Sequence, residues 1–369
     1  MVPAPLRLAV DGTPLLGDAT GVGEVAHGLL DTLAGRTDLD LVAYALTFRG
    51  RQKLVDKIPP GVRPAVRAIP ARLVRALWLH SDMPRVERWT GPVDVVHATF
   101  IGPPARSPVV VTIHDLTFVR FPELCTADTL QYGRLVKRAL DRGAVVHATS
   151  EFVAGEVREH FGIDDTRIVQ IPLGVRPSAG GDPARGRAIA GSEGYVLALG
   201  TVEPRKNLPV LVRAFDQMAP RDPALRLVVA GADGWGASEF HAARTAAKHA
   251  DRVVRLGYVS DAERRDLLSG ARVLAYPSIY EGFGLSPLEA MSAGVPVVAA
   301  RAGALPETLG DAAVLVDPSD VDGLAGALDR VVHDDELRRE LVVRGCRLVE
   351  RYSWPQIAPR FVDLYRSLA

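Results

Sequence analysis

Short apolar runs rich in Val, Leu, Ile and Ala recur along this chain and alternate with longer amphipathic segments. They are almost continuously apolar, which is typical of strands buried on both faces of a parallel sheet. The runs occupy residues 8–10, 41–44, 93–97, 109–113, 145–148 and 168–171, then 195–199, 227–230, 253–256, 273–276, 295–299 and 314–316. Because parallel strands are joined by helical crossovers, the pattern predicts an α/β fold.

The alternation occurs twice, on either side of a breaker-rich stretch at residues 174–183. A chain of 369 residues is also longer than one ordinary hydrophobic core. We therefore predict two Rossmann-like doubly wound domains, at residues 1–173 and 174–352, and a terminal segment at 353–369. Ligands of such folds bind at the carboxyl ends of the strands, so we expect one in a cleft where these ends of both sheets face each other.

Residues 278–290 connect the run at 273–276 to a helix through a Gly-rich turn. Their spacing predicts a capping box, with Ser286 as N-cap, Pro287 at the first helical position and Glu289 three residues after the cap. A helix that starts behind glycines offers free N–H groups to an anion. Glu281 and Glu289 flank this anion site, and carboxylates accept hydrogen bonds from hydroxyls. A ligand with sugars on both sides of its phosphate, such as a nucleotide sugar, fits the pattern.

The two acids differ in what else explains them. Glu289 would be held by the capping box without any ligand, whereas Glu281 has no comparable structural explanation. We therefore regard Glu281 as the stronger functional candidate.

Arg205 and Lys206 lie between the run at 195–199 and a helix for which Asn207 is the predicted N-cap. They should reach the same edge of the sheet as Glu281, where the guanidinium and the ammonium can bind a diphosphate. The alternative is an ordinary pair of surface cations.

Several other residues are candidates on weaker grounds. Gly21 and Gly23 suggest a loop that approaches a phosphate or an acceptor, but the third glycine of a dinucleotide fingerprint is missing, which disfavours a dehydrogenase. His114 closes the run at 109–113, at a strand end where sites gather. The pentad Val-Val-His-Ala-Thr occurs at 95–99 and 145–149, so we expect His97 and His147 near the cleft edge, with packing the better explanation for His147.

Metal chemistry is not expected. The two Asp-x-Asp pairs, at residues 38–40 and 320–322, fall in polar connections. With Arg205 and Lys206 to neutralise a diphosphate, we expect neither a metal nor another cofactor. A third ligand with zinc spacing beside His97 and His147 is also missing.

Composition limits the partners and the compartment. Lys plus Arg and Asp plus Glu are equal, at 44 each, so the overall charge gives no support for nucleic acid. Two cysteines and a first segment without the layout of a signal peptide indicate the cytoplasm. Residues 63–88, from Arg63 to Arg88, are locally basic with apolar residues between the charges. This segment predicts either peripheral contact with an anionic membrane, at the inner face of the plasma membrane, or a solvated helix face.

Taken together, these motifs resemble the retaining glycosyltransferases of family 4, which have the GT-B fold of two Rossmann-like domains facing a central cleft. The resemblance covers nearly the whole chain. It rests on residues 20–23, 112–116, 150–152, 203–207 and 281–290, the last being a Glu-x7-Glu signature.

The resemblance implies a role for each motif. Glu281 would contact hydroxyls of the donor sugar and Glu289 the ribose, Arg205 and Lys206 would hold the diphosphate, and His114 would lie beside the transferred sugar. Donor contacts are also implied for Phe283, Gly284, Leu285 and Ser286, base contacts for Gly257, Tyr258 and Val259, and phosphate or acceptor contacts for Gly21 and Gly23. The final helix would cross back onto the first domain.

This chain departs from the family pattern at two places. Thr201 stands where many relatives carry an arginine, and Glu24 and Val25 replace an Arg-Tyr pair after the first glycines. We expect these changes to alter how the protein binds the phosphate of the donor or the acceptor substrate.

The activity expected from the resemblance is transfer of a hexose, mannose from GDP-mannose, to a hydroxyl of a glycan or lipid-linked acceptor with retention of configuration. The alternatives are a UDP-glucose or UDP-N-acetylglucosamine transferase of the same fold, and a nucleotide-sugar-binding protein without turnover.

Overall fold

The computed structural model describes residues 4–17, 21–178 and 180–369. Its tertiary contacts divide the chain into two compact units. Unit 1 comprises Met1–Arg176 and Tyr352–Ala369, and unit 2 comprises Pro177–Arg351. The limits predicted from the sequence are residues 173 and 352.

Unit 1 contains a parallel sheet with the strand order β3-β2-β1-β4-β5-β6-β7. Its strands are β1 (Leu6–Asp11), β2 (Leu39–Thr47), β3 (Arg63–Ala68), β4 (Val95–Ala98), β5 (Val109–Ile113), β6 (Val145–Ala148) and β7 (Ile168–Gln170). Its helices are α1 (Gly21–Ala34), α2 (Arg51–Lys57), α3 (Ala71–Trp78), α4 (Glu87–Thr90), α5 (Thr117–Arg120), α6 (Ala127–Leu130), α7 (Tyr132–Asp141), α8 (Glu151–Phe161) and the C-terminal α17 (Trp354–Leu368).

Unit 2 contains a second parallel sheet, with the order β10-β9-β8-β11-β12-β13. Its strands are β8 (Tyr195–Leu199), β9 (Arg226–Ala230), β10 (Val253–Gly257), β11 (Val273–Tyr276), β12 (Val297–Ala300) and β13 (Val314–Val316). Its helices are α9 (Pro183–Ala190), α10 (Leu208–Met218), α11 (Ala237–Ala246), α12 (Asp261–Gly270), α13 (Leu285–Ser292), α14 (Leu305–Leu309), α15 (Val321–His333) and α16 (Asp335–Glu350).

The predicted fold class of two doubly wound parallel sheets is confirmed. Strands β8 and β11 are buried throughout, as their apolar runs require. In each unit the strand order reverses once, between β1 and β4 in unit 1 and between β8 and β11 in unit 2. Crevices at such reversal points are where open α/β sheets bind ligands. The fold therefore predicts a ligand-binding site in unit 2 at the carboxyl ends of β8 and β11.

The interpretation of residues 63–88 as one amphipathic element is wrong in part. The segment begins with the edge strand β3, continues into α3 and ends in α4. Two of its arginines form hydrogen bonds with backbone carbonyl groups: Arg63 donates to Thr90 O at 2.9 Å, and Arg67 donates to Arg88 O at 3.4 Å. Four of the six residues of β3 are exposed, which matches an edge strand, and the spacing of its two arginines by four residues also fits a helix.

The expectation that His97 and His147 point towards the cleft edge is wrong, and the packing explanation for His147 is confirmed. Both side chains are buried in unit 1, where they join a chain of hydrogen bonds beneath α17. Thr112 Oγ1 lies 2.8 Å from His97 Nε2 and 2.9 Å from His147 Nδ1. His97 Nδ1 lies 2.6 Å from the Tyr365 hydroxyl, and His147 Nε2 lies 2.7 Å from Ile171 O.

One proton arrangement satisfies all four of these contacts. Ile171 O can only accept, so His147 donates from Nε2 and accepts at Nδ1 from the Thr112 hydroxyl. Thr112 Oγ1 then accepts from His97 Nε2, and His97 Nδ1 accepts from the Tyr365 hydroxyl. The repeated pentad thus attaches the C-terminal helix to β4, β5 and β6 through neutral imidazoles.

Among the described residues, helices of the length and apolarity needed to cross a bilayer are absent.

Candidate active site

The two loops singled out from the sequence of unit 2 follow β8 and β11, the neighbouring strands at the reversal of strand order. The loop after β8 makes a 3-10 turn at Pro204–Lys206 before α10, and the loop after β11 leads into α13. The loops are joined by a backbone hydrogen bond from Ile279 N to Arg205 O at 2.9 Å. The pairing of β8 with β11 thus brings Arg205, Lys206 and Glu281 to one point on the edge of the sheet.

At that point a carboxylate and two cations form a buried cluster. Glu281 Oε1 lies 2.7 Å from Lys206 Nζ and 2.8 Å from Arg205 Nη1, and the Glu281 side chain is 10% exposed. Arg205 also pairs with Glu203 at 2.6 Å, and Lys206 donates to the Tyr276 hydroxyl at 2.8 Å. Glu281 is therefore held by ion pairs, which corrects the expectation that it has no structural role.

Two groups of this cluster can still form hydrogen bonds with a ligand: one oxygen of Glu281 and one N–H of Lys206. Both cations bind the same oxygen, Oε1, and within the described chain Glu281 Oε2 accepts from no residue. The Lys206 ammonium has three protons, of which the described residues accept two, at Glu281 and Tyr276. An acceptor suited to a sugar hydroxyl thus lies beside a charged donor suited to a phosphate oxygen.

The charges are strongly coupled. Burial alone would raise the pKa of Glu281, but Arg205 and Lys206 outweigh it and lower the pKa to about 2. Burial lowers the pKa of Lys206, but the Glu281 charge outweighs this and the net shift is upward. Burial and the nearby Glu281 raise the pKa of Tyr276 to about 12. The Glu281 ion pairs therefore stabilise the fold at any pH above the normal range of a glutamate, and their contribution is lost only as pH falls towards 2.

Neighbouring loops fix the backbone of the cluster. Asn207 is the N-cap of α10 as predicted, but it has a φ of 55°, and its side chain donates to Pro277 O and Pro318 O instead of accepting from the first turn of the helix. Ala304 N donates to Glu281 O at 2.8 Å. A Cβ on Gly303, whose φ is 55°, would lie 2.3 Å from Glu281 O, so only glycine allows this approach.

The predicted capping box at Ser286 is wrong. Helix α13 begins at Leu285, and its N-cap is Gly284, whose φ of 102° turns the chain into the helix before Ser286. The same Ser-x-x-Glu spacing does form a capping box at Ser260 and Glu263 in α12. Spacing alone does not distinguish the two, because the glycine at 284 decides where the helix starts.

Glu289 is buried in α13 and forms an ion pair with Arg264 of α12. A cation from another helix therefore contributes to holding it. Arg264 lies in the helix that follows Gly257, Tyr258 and Val259, the residues implied to meet the base. The Arg264–Glu289 pair thus connects α13 to α12, the helix after the base-side loop.

The other residues that the resemblance implies would contact the nucleotide sugar differ in how exposed they are. Phe283 and Gly284 are buried, and Leu285 and Ser286 are half-buried. Gly257 ends β10 with a φ of 75°, Val259 is half-buried, and Tyr258 is exposed. Of this group, Tyr258 offers the largest apolar side chain to a ligand.

In unit 1, His114 follows β5 as predicted. Its Nε2 lies 3.0 Å from Thr99 O, a carbonyl, so Nε2 carries the proton. Burial lowers the pKa of His114 in spite of Asp115, which keeps the ring neutral at pH 7. His114 Nδ1 then carries a lone pair, and none of the described residues donates a hydrogen bond to it. His114 can therefore accept a hydrogen bond from a hydroxyl, but it is poorly suited to act as a cation.

Gly21 and Gly23 lie in the first turn of α1 and not in a loop. Thr20, the first residue of that motif, lies outside the described residues. Glu24, which departs from the family pattern, pairs with Arg176 at 3.4 Å.

The expectation that the Asp-x-Asp pairs fall in connections is wrong for Asp40, which lies in β2, and for Asp322, which lies in the first turn of α15. The other two acids have structural partners. Asp38 pairs with Arg36 and Arg366, and Asp320 caps α15 by accepting from Gly323 N. In the described parts of the chain, clusters of three or more side chains fit to hold a metal are absent.

Sequence reasoning missed Glu203, Tyr276 and Arg264 as members of the site. Glu203 and Tyr276 lie within or beside the motifs, but only their contacts with Arg205 and Lys206 reveal their roles. No local signal marks Arg264, which lies 25 residues from its partner Glu289.

Comparison with known proteins adds to this geometry. Residues 184–346 match the family described as Glycosyl transferases group 1, and residues 19–179 match Glycosyltransferase Family 4. The chain is 32% identical over 268 residues to O-antigen chain mannosyltransferase B of Escherichia coli, covering 70% of each protein. It is 30% identical over 308 residues to phosphatidyl-myo-inositol mannosyltransferase of Mycolicibacterium smegmatis, covering 77% of this chain and 74% of the relative.

Solved structures share the fold at lower identity. HepE of Anabaena, in complex with UDP and glucose, superposes with a TM-score of 0.76 at 19% identity, covering 98% of this chain and all of HepE. WaaG, a glycosyltransferase involved in lipopolysaccharide biosynthesis, gives a TM-score of 0.74 at 16% identity, covering 97% of this chain and 99% of WaaG.

Proposed function

The chain belongs to the family 4, group 1 glycosyltransferases and has their GT-B fold, and on that premise we propose that it transfers mannose from GDP-mannose. The acceptor is a hydroxyl of a glycan or a lipid-linked glycan, the anomeric configuration is retained, and no metal takes part. The mannosyltransferases among its relatives support the choice of sugar.

One observation carries the proposal: the open oxygen of Glu281 lies beside the remaining proton of Lys206. In the proposed complex Glu281 Oε2 accepts from a hydroxyl of the donor sugar. Lys206 donates to an oxygen of the diphosphate, assisted by Arg205. We assign the main phosphate contact to Lys206, because Glu203 and Glu281 already neutralise much of the Arg205 charge.

The proposed reaction proceeds on one face of the sugar. The bond between the anomeric carbon and the diphosphate oxygen breaks, and a bond to the acceptor oxygen forms on the same face. The departing diphosphate takes the acceptor proton. Lys206 and the N-terminus of α13 stabilise the charge that develops on the leaving group, and such stabilisation is commonly the largest catalytic contribution.

Donor turnover in EDTA tests this proposal. GDP-mannose, UDP-glucose and UDP-N-acetylglucosamine are each incubated with the protein and a glycan acceptor mixture, and nucleotide release and the anomeric configuration of the product are measured. We expect release of GDP from GDP-mannose, a retained product, and no loss of rate in EDTA.

Each other outcome contradicts a named part of the proposal. Turnover of UDP donors alone would overturn the choice of base, and a strict requirement for Mn²⁺ would overturn the metal-free reaction. Binding of nucleotide without turnover of any donor would favour a binding protein. A Glu281→Gln protein serves as the low-activity blank.

We also propose a peripheral membrane contact through α3. Leu73 and Leu77 are 52% and 50% exposed, while the residues that follow each of them, Val74 and Trp78, are buried. The exposed Arg72 side chain lies next to Leu73. Arg72 lies 3.8 Å from Asp128, but it is 86% exposed, and exposed leucines beside such a cation suit an anionic bilayer, such as the inner face of the plasma membrane.

Vesicle sedimentation tests the contact. The protein should sediment with phosphatidylcholine vesicles that contain phosphatidylglycerol, less so at high salt. A Leu73→Ser, Leu77→Ser protein should bind at least about tenfold more weakly, because two apolar side chains no longer insert. Val343→Ser, at an exposed apolar position of unit 2, should bind as the unchanged protein does. Equal binding by all three proteins, or none to the anionic vesicles, would rule out the contact.

A further inference from the structure

Trp235 exposes half of its side chain, at 50%, whereas Trp78 and Trp354 are buried. It lies between β9 and α11, at the carboxyl edge of the unit 2 sheet. An exposed indole at this edge differs from scattered surface apolar residues, because the backbone around it is held from two sides.

On one side, the Trp235 loop is attached to the loop that carries Arg205 and Lys206. Val202 N donates to Ala232 O at 2.9 Å, and the N–H groups of Gly234 and Gly236 both donate to Val202 O at 3.2 Å. A Cβ on Gly234 would lie 2.8 Å from Val202 O, and one on Gly236 would lie 2.6 Å from Pro204 N. The two loops therefore pack backbone to backbone, and Trp235 is the one side chain of the Gly-Trp-Gly triplet.

On the other side, Arg255 of β10 fixes the start of the same loop. Its guanidinium donates to Val229 O at 3.1 Å and Gly231 O at 2.5 Å, and it pairs with Asp233 at 2.6 Å. The Arg255 side chain is only 9% exposed. The indole is thus presented from a rigid backbone, which lowers the entropy cost of binding a ligand against it.

The order of residues along the edge matches the order of parts in a nucleotide sugar. The strands run β11, β8, β9, β10, and they are followed by Glu281, Lys206, Trp235 and Tyr258 respectively. Three strand spacings cover about 14 Å. With the sugar at Glu281 and the diphosphate at Lys206, the planar base falls towards Trp235 and the exposed Tyr258.

We propose that Trp235 stacks on the nucleobase of the donor and favours a purine over a pyrimidine. This inference rests on the proposed function, and it adds a specificity residue from a loop that no motif marks. Aromatic stacking accepts any base. The larger purine overlaps more of an indole, so the preference follows from ring area and needs no hydrogen bond to the base.

Calorimetry with GDP and UDP, on the unchanged protein and on Trp235→Ala and Trp235→Phe, tests the inference. For GDP, Trp235→Ala should raise Kd by roughly 5- to 150-fold, the range of one base stacked on an aromatic ring. Trp235→Phe should retain part of the affinity, and UDP should lose less than GDP. Quenching of indole fluorescence on addition of GDP should disappear in Trp235→Phe. Phe48→Ala, an exposed aromatic position of unit 1, is the control and should bind GDP normally.

The outcomes separate the two proposals. If the unchanged protein binds GDP and Trp235→Ala binds it equally well, the stacking role is overturned while the proposed function stands. If the unchanged protein binds neither nucleotide, the proposed function fails and the stacking role fails with it. Equal losses for GDP and UDP would overturn the purine preference.

Discussion

Glu281→Gln should lower kcat/KM for the donor by about 10- to 100-fold, because a charged hydrogen bond to the sugar becomes a weaker neutral one. The same change should destabilise unit 2. It leaves Lys206 and Arg205, both largely buried, with only Glu203 to balance their charges. Removing one partner of a buried ion pair costs about 3–5 kcal/mol, a fall in Tm on the order of 10 °C. Thermal unfolding and donor kinetics measure the two effects separately.

A double variant distinguishes the structural from the functional contribution. Lys206→Met with Glu281→Gln removes one charge of each sign and should recover much of the lost stability, because the cluster is again balanced. Activity should stay low, since both proposed ligand contacts are gone. Recovery of activity together with stability would mean that Glu281 acts only through the fold.

The matched control is Glu340→Gln in the exposed pair with Arg344 on α16. Exposed ion pairs contribute little to the free energy of unfolding, and this pair is not part of the candidate site. The Tm and the activity of Glu340→Gln should therefore be nearly unchanged. A Glu281→Gln protein that behaves like this control would overturn both the cluster energetics and the site assignment.

Thr112→Val should destabilise unit 1 by about 2–6 kcal/mol, although the two side chains have nearly the same shape. The change leaves His97 Nε2 and His147 Nδ1 buried without a partner, and each such group costs about 1–3 kcal/mol. Urea unfolding followed by tryptophan fluorescence at pH 7 measures the loss. Thr245→Val, at an exposed position on α11, should fall within about 0.5 kcal/mol of the unchanged protein.

The same histidines should make the fold sensitive to acid. Burial, together with nearby His147 and His114, lowers the pKa of His97 well below its normal value. For His147, burial outweighs the hydrogen bond to Ile171 and, with nearby His114 and Arg360, lowers the pKa to about 3. Both rings are neutral in the fold, whereas in the unfolded chain they take up protons below about pH 6.5.

The sign of the pH effect follows from this difference. Below about pH 6.5 the unfolded state binds more protons, so the free energy of unfolding falls by about 1.4 kcal/mol per pH unit for each neutral histidine. Above that pH their contribution is constant. Urea unfolding at pH 7, 6 and 5 should show this decline for the unchanged protein. A free energy of unfolding that is equal at pH 7 and pH 5 would contradict the buried neutral pair.

Much of the fold is predictable because its signals are local. Each apolar run that the sequence analysis assigned to a strand became one, since a strand buried on both faces needs such a run whatever surrounds it. Strand β3 was missed because it lies at an edge, where Arg63 and Arg67 face solvent and the apolar run is lost. The positions of the loops that carry Arg205, Lys206 and Glu281 were predictable because their motifs directly follow predicted strands.

The details of the site were less predictable, because they depend on residues far apart in the chain. Glu281 lies 75 residues from Lys206, and no local pattern states that both cations share one of its oxygens. Similarly, His97 and His147 lie in apolar runs without alternation, so the sequence did not say which face of the sheet they occupy. Tyr365, the hydrogen-bond partner of His97, lies 268 residues away from it.

The sequence by itself determined the two doubly wound sheets, the loops that carry the site and the family, because strand periodicity and turn chemistry act over a few residues. Tertiary structure alone decided which charges pair, where α13 starts and which oxygen of Glu281 stays open. Those features depend on distances between side chains of different loops, and such distances are set only when the sheet brings the loops together.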